Sequence, residues 1–151
     1  MKTTQLRFII MTLLIYAFSF SSYGQQVERT ITLICDTDQL KNAKPKDAYK
    51  FCHFQGQTES DSRDYTASGD IEDTFIWEGK ASSGSGKLKI TKIKYERGTK
   101  VFSKDSIQGT QTVRAVAKHS TKGKDPYKYI IYFKLNKKKK YFIDPKLKIG
   151  E

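Results

Sequence analysis

The sequence predicts an all-β protein: an antiparallel β-sandwich of about seven or eight strands, Greek-key and immunoglobulin-like in general architecture. Three observations lead there. The stretch Tyr127 to Ile149 places Tyr127, Tyr129, Ile131, Phe133 and Leu135, then Tyr141, Ile143, Pro145, Leu147 and Ile149, at positions of one parity. Because strand side chains alternate between faces, this is a hairpin with one apolar face. Elsewhere, short alternating runs are separated by Ser-, Thr-, Asp- and Gly-rich segments, and no run carries an amphipathic helical stripe of useful length. A small closed β-barrel would satisfy the same pattern and is the alternative architecture.

The elements follow in chain order. Residues 1–24 read as an export signal: Lys2 and Arg7 precede an apolar run from Phe8 to Phe20, and Ser22-Tyr23-Gly24 has the small-x-small form of a cleavage site. That run is shorter than the roughly 20 residues a membrane-spanning helix requires. Residues 25–151 then form a single secreted domain, periplasmic or extracellular. Val27 to Cys35 alternates as a first strand. A polar connection follows in which Asp36 or Asp38 caps one helical turn before Pro45. Ala48 to Phe54 reads as a second strand, with Cys52 facing inward and His53 outward. In an oxidising compartment Cys35 and Cys52 are expected to form a disulfide, worth about 3 kcal/mol in the chain-entropy model. A zinc site built from Cys35, Cys52, His53 and His119 is disfavoured, because Cys52 and His53 are neighbours and point to opposite faces of a strand.

Gln55 to Asp70 has the composition of a loop. The next run, Asp70 to Gly79, brings Phe75 and the only tryptophan, Trp77, at core spacing. Residues 81–86, ASSGSG, read as a flexible connection. In Lys87 to Gly98 the apolar face changes side near Thr91-Lys92, which predicts a β-bulge. Val113, Ala115 and Ala117 share one face of a further strand. In the closing hairpin, Leu135 is expected opposite Tyr141, and Pro145, which cannot donate to a ladder, suggests that the last strand lies at an edge.

Charge supplies the functional lead. The chain carries a net charge of +12, of which Lys2 and Arg7 account for two. The distribution is uneven: Gln25 to Glu78 holds 6 basic and 11 acidic residues, whereas Gly79 to Glu151 holds 20 basic and 5 acidic. Such a field favours anionic partners. The even-parity face of the hairpin, with Lys128, Tyr132, Lys134, Phe142, Lys146 and Lys148 and the turn lysines Lys137, Lys138, Lys139 and Lys140, interleaves cations with aromatic rings. The reading is a non-enzymatic secreted module that uses this basic face to engage an anionic glycan, a lipid head group of an envelope surface or an acidic protein. Nucleic acid is a less favoured partner, since only Arg97 and Arg114 accompany the lysines of the basic half. Two alternatives remain: an adhesive or structural envelope component that assembles by strand pairing, and an extracellular polymer hydrolase that uses the acidic loop. The same loop suggests a weak calcium site at Asp61, Asp64 and Asp70, although its spacing does not match an EF-hand. No cofactor-binding motif is present; SSGSGK lacks the spacing of a phosphate-binding loop, and no G-x-S-x-G nucleophile elbow occurs.

Overall fold

The computed structural model describes residues 26–136 and 139–151. The expected export signal lies outside these residues, as do Lys137 and Lys138. The described residues form ten strands: β1 (Glu28–Asp36), β2 (Cys52–Phe54), β3 (Thr66–Gly69), β4 (Thr74–Ser83), β5 (Leu88–Arg97), β6 (Ser106–Gln108), β7 (Val113–Val116), β8 (Tyr127–Leu135), β9 (Lys139–Ile143) and β10 (Lys146–Ile149). They form two sheets rather than a closed barrel. One has the order β2-β1-β4-β7; the other runs β3-β10-β8-β5-β6, with β9 also paired to β8. The sandwich is therefore as the sequence predicts. The sheets are mixed, however, because β1 pairs with β4 and β10 with β3 in parallel. Long excursions separate the members of each parallel pair, and only such connections allow a strand to return in the same direction.

The apolar alternation of the closing hairpin dictates the packing. All ten residues of its odd face are buried. Opposite them the first sheet contributes Ile31, Leu33, Phe75, Trp77 and Val113. The two sheets meet in an aromatic cluster: the Trp77 ring lies edge-on to Tyr129 at 5.8 Å and to Phe102 at 5.6 Å, and its Nε1–H donates to Tyr129 Oη at 3.1 Å. Phe75 and Trp77 lie 6.1 Å apart, the core pair expected from their spacing.

In β5 the expected bulge is present between Ile90 and Lys92, and it lets Leu88, Ile90 and Ile93 all point inward despite their change of parity. Asp36 caps the short helix α1 (Thr37–Leu40), its Oδ1 accepting from the backbone amides of Asp38 and Gln39. Cys35 stands opposite Cys52 in the β1–β2 ladder and is disulfide-bonded to it. With both sulfurs so engaged, neither is available as a thiolate for zinc.

Four local expectations are corrected. Residues Pro45–Lys50 form a 3-10 helix, so that the second strand begins only at Cys52. Proline at the first position pre-sets a helical φ, which overrides the strand-like alternation of Tyr49 and Phe51. Thr66–Gly69, within the expected loop, is a strand, because β10 presents it with a parallel partner. Part of the expected flexible connection continues β4 as far as Ser83, and the chain turns at Gly84, whose φ is +75°. Finally, the last strand is internal: β10 lies between β8 and β3. Pro145 sits at the joint between β9 and β10, where its carbonyl accepts from Tyr129 N at 3.3 Å and its missing amide interrupts neither strand.

Candidate functional site

The outward face of the larger sheet is where the basic residues gather. Pairing Phe133 with Tyr141 and Ile131 with Ile143, two residues away from the expected register, keeps parity and therefore faces unchanged. The even residues of β8 form the centre of this face, flanked by β5 on one side and by β9 and β10 on the other. Successive rows across the sheet read Lys89-Lys134-Lys140, then Lys92-Tyr132-Phe142, then Lys94-Ile130, then Arg97-Lys128-Lys146. Neighbouring strands stand about 4.8 Å apart and successive rows about 6.7 Å apart, so these cations form a grid.

The grid is not uniform. At its lower end Lys128 Nζ lies 2.9 Å from Asp144, Lys146 lies 3.4 Å from Asp64, and Lys148 lies 3.2 Å from Glu151. At its upper end Lys89, Lys92, Lys134 and Lys140 have no carboxylate partner among the described residues. Three of these lysines stand directly opposite one another, an arrangement that costs stability in a sheet unless an anion lies between them. The β5 bulge contributes to the shape: Thr91 Oγ1 donates to Tyr132 O at 3.2 Å, and Lys92 Nζ lies 4.1 Å above the Tyr132 ring. Tyr132 in turn packs on Phe142 with centroids 6.3 Å apart, and Phe142 is 38% exposed. The result is a surface depression of about 460 Å³, with Tyr132 between Lys92, Lys134 and Lys140 and a rim at Gln108 to Thr110.

The structure thus gathers Tyr132, Lys134, Lys140 and Phe142 and separates the other residues the sequence suggested. Lys128, Lys146 and Lys148 share the face but are paired with carboxylates. Lys139 points the other way: its Nζ donates to Lys41 O at 2.8 Å and lies 5.5 Å from the Tyr141 ring centroid. Lys89 and Lys92 join the site from β5. Their outward orientation was readable from the predicted bulge, but their adjacency to Lys134 and Tyr132 depends on a pairing more than 30 residues apart in sequence, which no local pattern reveals.

The acidic loop is arranged differently. Asp61 accepts from Arg63 Nε at 3.0 Å, Asp64 meets Lys146, and Asp70 meets Arg29 at 3.4 Å. Each carboxylate proposed for calcium therefore faces a cation of its own, and among the described residues no three His, Cys, Asp or Glu side chains converge as a metal site. The Arg63 hydrogen bond, opposed by partial desolvation, holds Asp61 below the ordinary carboxylate range. A glycosidase acid requires the opposite shift. The edge strands β2, β3, β6, β7 and β9 are three to five residues long, short templates for pairing with another chain. No helix among the described residues is long and apolar enough to cross a membrane.

No protein-family model matches the chain, and no curated protein matches it. Among solved structures, the fold is similar to that of the inclusion body protein PixA from Burkholderia cenocepacia J2315. The TM-score is 0.53 at 10% sequence identity, covering 86% of this chain and 100% of that one. At this identity the likeness is one of fold.

Proposed function

We propose that this protein is a non-enzymatic binding module, secreted to the periplasm or beyond, which engages an anionic polymer or surface through the upper part of its basic sheet face. The observation that carries this reading is the row Lys89-Lys134-Lys140, three ammonium groups abreast without carboxylate partners among the described residues, beside the Tyr132–Phe142 pair. Counter-ions held by such a row are released when a polyanion replaces them, which drives association and makes it salt-dependent. Extracellular placement draws support from the Cys35–Cys52 disulfide and from the signal-like first 24 residues.

Retention on a heparin matrix tests the reading. The wild-type protein is expected to bind at low salt and to elute on raising the salt. A Lys92→Gln, Lys134→Gln, Lys140→Gln variant is expected to elute much earlier, with a salt dependence lowered by about three ion equivalents. Replacing Lys128, Lys146 and Lys148 in the same way removes the same formal charge and is expected to matter less, because each of these lysines already has a carboxylate neighbour. Equal loss in the two triple variants would show that net charge alone governs retention.

A further inference from the structure

One flank of the sandwich leaves backbone groups of both sheets without a partner among the described residues. In the parallel β1–β4 ladder, Thr74 N donates to Val27 O at 2.9 Å, and the register sets Glu28 beside Thr74 and Thr30 beside Ile76. Successive residues of a strand turn their amides and carbonyls to opposite neighbours, so Arg29, Ile31 and Leu33 serve β4 while Glu28, Thr30, Thr32 and Ile34 face the other way. On that side β2 pairs with Leu33 to Cys35, and Gln55 N donates to Thr32 O at 3.0 Å. Below Thr32 the pairing stops, and the backbone N–H and C=O of Glu28 and Thr30 have no partner among the described residues. β3 repeats the arrangement in the other sheet. Lys146 N donates to Tyr65 O at 2.9 Å and Gly150 N to Gly69 O at 2.8 Å, so Tyr65, Ala67 and Gly69 serve β10. The backbone groups of Thr66 and Ser68 face outward, again without a partner among the described residues. The two open edges share one flank and run in opposite directions. At one end Phe54, opposite Leu33 of β1, stacks on Tyr65 with centroids 4.3 Å apart. At the other, Val27 N and Asp70 N both donate to the Asp73 carboxylate, which sets the foot of β1 level with the end of β3. The sequence of β3, Thr66-Ala67-Ser68-Gly69, holds neither the lysine nor the proline that blunts an edge.

We propose that this flank is a self-association surface, on which a second copy of the chain pairs its β3 with the open part of β1, and its β1 with β3, about a two-fold axis parallel to the strands. Such an axis brings the open edge of each sheet against that of the partner's other sheet, and because β1 and β3 run oppositely, both pairings are antiparallel. With Glu28 opposite Ser68 and Thr30 opposite Thr66, every outward amide on the flank gains an acceptor and every outward carbonyl a donor. A second copy closes both edges at once, which a single peptide strand does not. Charge fits this register. Lys148 stands beside Ser68 in the β10–β3 ladder, so Glu28 of the second copy lies across the small Ser68 side chain from Lys148, on the same face. In the single chain Glu28 is paired with Arg114 and Lys148 with Glu151, surface pairs that exchange at little cost. Pairing β1 with β1 in the same way centres on Arg29 and sets two guanidinium groups opposite one another.

The contact is small, so the dimer is expected to have a dissociation constant of about 0.1 mM, which sedimentation equilibrium at protein concentrations up to about 1 mM reads. Ser68→Pro removes an outward amide that serves no ladder within the chain, and is expected to weaken the dimer about tenfold. Cross-linking fixes the register. A chain carrying Thr30→Cys, mixed under mild oxidation with one carrying Thr66→Cys, is expected to give a disulfide-linked dimer of the two, because opposed hydrogen-bonded residues stand about 5.5 Å apart, within disulfide reach. Either chain alone is expected to give none. Thr30 and Ser68 are exposed and Thr66 is half-buried, and equal melting temperatures establish that the variants are folded. A wild type that stays monomeric at the highest concentration overturns the proposal. A folded Ser68→Pro variant that dimerises like the wild type overturns it as well. So does cross-linking of Thr30→Cys with itself, which reports β1 against β1, or failure of the mixed chains to cross-link.

Discussion

Replacing Trp77 with alanine is expected to lower the unfolding free energy by about 3–5 kcal/mol, read from the midpoint of a urea titration with an unchanged slope. Trp77 is fully buried. It contacts Phe75 and Phe102 and bridges the two sheets through Tyr129, so truncation opens a void between the layers that neither sheet closes without moving the other. The loss is also polar. Burial pushes the Tyr129 hydroxyl well above the ordinary tyrosine value, so it stays protonated, and the indole N–H is its side-chain partner. Trp77→Phe leaves that hydroxyl unpaired, and Tyr129→Phe leaves the indole unpaired; each is expected to cost about 1–3 kcal/mol. The double substitution removes both partners and is expected to cost less than the sum of the two. A Trp77→Ala variant within about 1 kcal/mol of the wild type would show that Trp77 is not the bridge between the sheets.

The second large effect is electrostatic. Asp73 is 3% exposed, yet it is ionised by design of its surroundings. Burial alone pushes its carboxyl up. The Arg29 guanidinium, hydrogen-bonded to Oδ2, outweighs this, together with the backbone amides of Asp70 at 2.9 Å and Val27 at 3.3 Å, and the group ends below its ordinary value of 3.8. These bonds fasten the start of β1 to the turn before β4, where the parallel β1–β4 ladder begins at Glu28 and Thr74. Because the folded-state pKa lies below the unfolded one, the stabilisation is fully present above the unfolded value, near pH 4, and is lost as the pH falls through the folded value. Asp73→Asn is expected to cost about 2–3 kcal/mol at neutral pH, the range for hydrogen bonds to a charged group. Melting temperatures measured from pH 7 down to pH 2 are expected to show a gap between wild type and variant that is constant down to about pH 5 and then narrows. A gap independent of pH would mean that the carboxylate charge contributes nothing.

What the sequence disclosed, and what it withheld, follows the range of the interactions involved. Period-two alternation identified every inward residue of the closing hairpin, because parity survives a register slip of two. The change of parity around Thr91 located the bulge, and Asp36 announced its cap, since both are local. β3 escaped because TASG has no apolar alternation; a parallel partner 80 residues away makes it a strand. The parallel β1–β4 ladder was hidden for the same reason. At the site, the alternation of β8 displayed Tyr132 and Lys134, but the choice among the lysines depended on where Asp64, Asp144 and Glu151 come to lie. Those carboxylates pair with Lys128, Lys146 and Lys148, whereas Lys89, Lys134 and Lys140 stand abreast in the upper row with no such partner among the described residues.

The central claim, that the upper basic face is the contact surface, is tested most directly by titrating isotopically labelled protein with a heparin oligosaccharide and mapping the shifted resonances. The account predicts that the largest shifts fall on Lys89, Lys92, Tyr132, Lys134, Lys140 and Phe142, while the outer face of the β2-β1-β4-β7 sheet stays unchanged. Shifts centred on that opposite face, or spread evenly over every lysine of the protein, would contradict it.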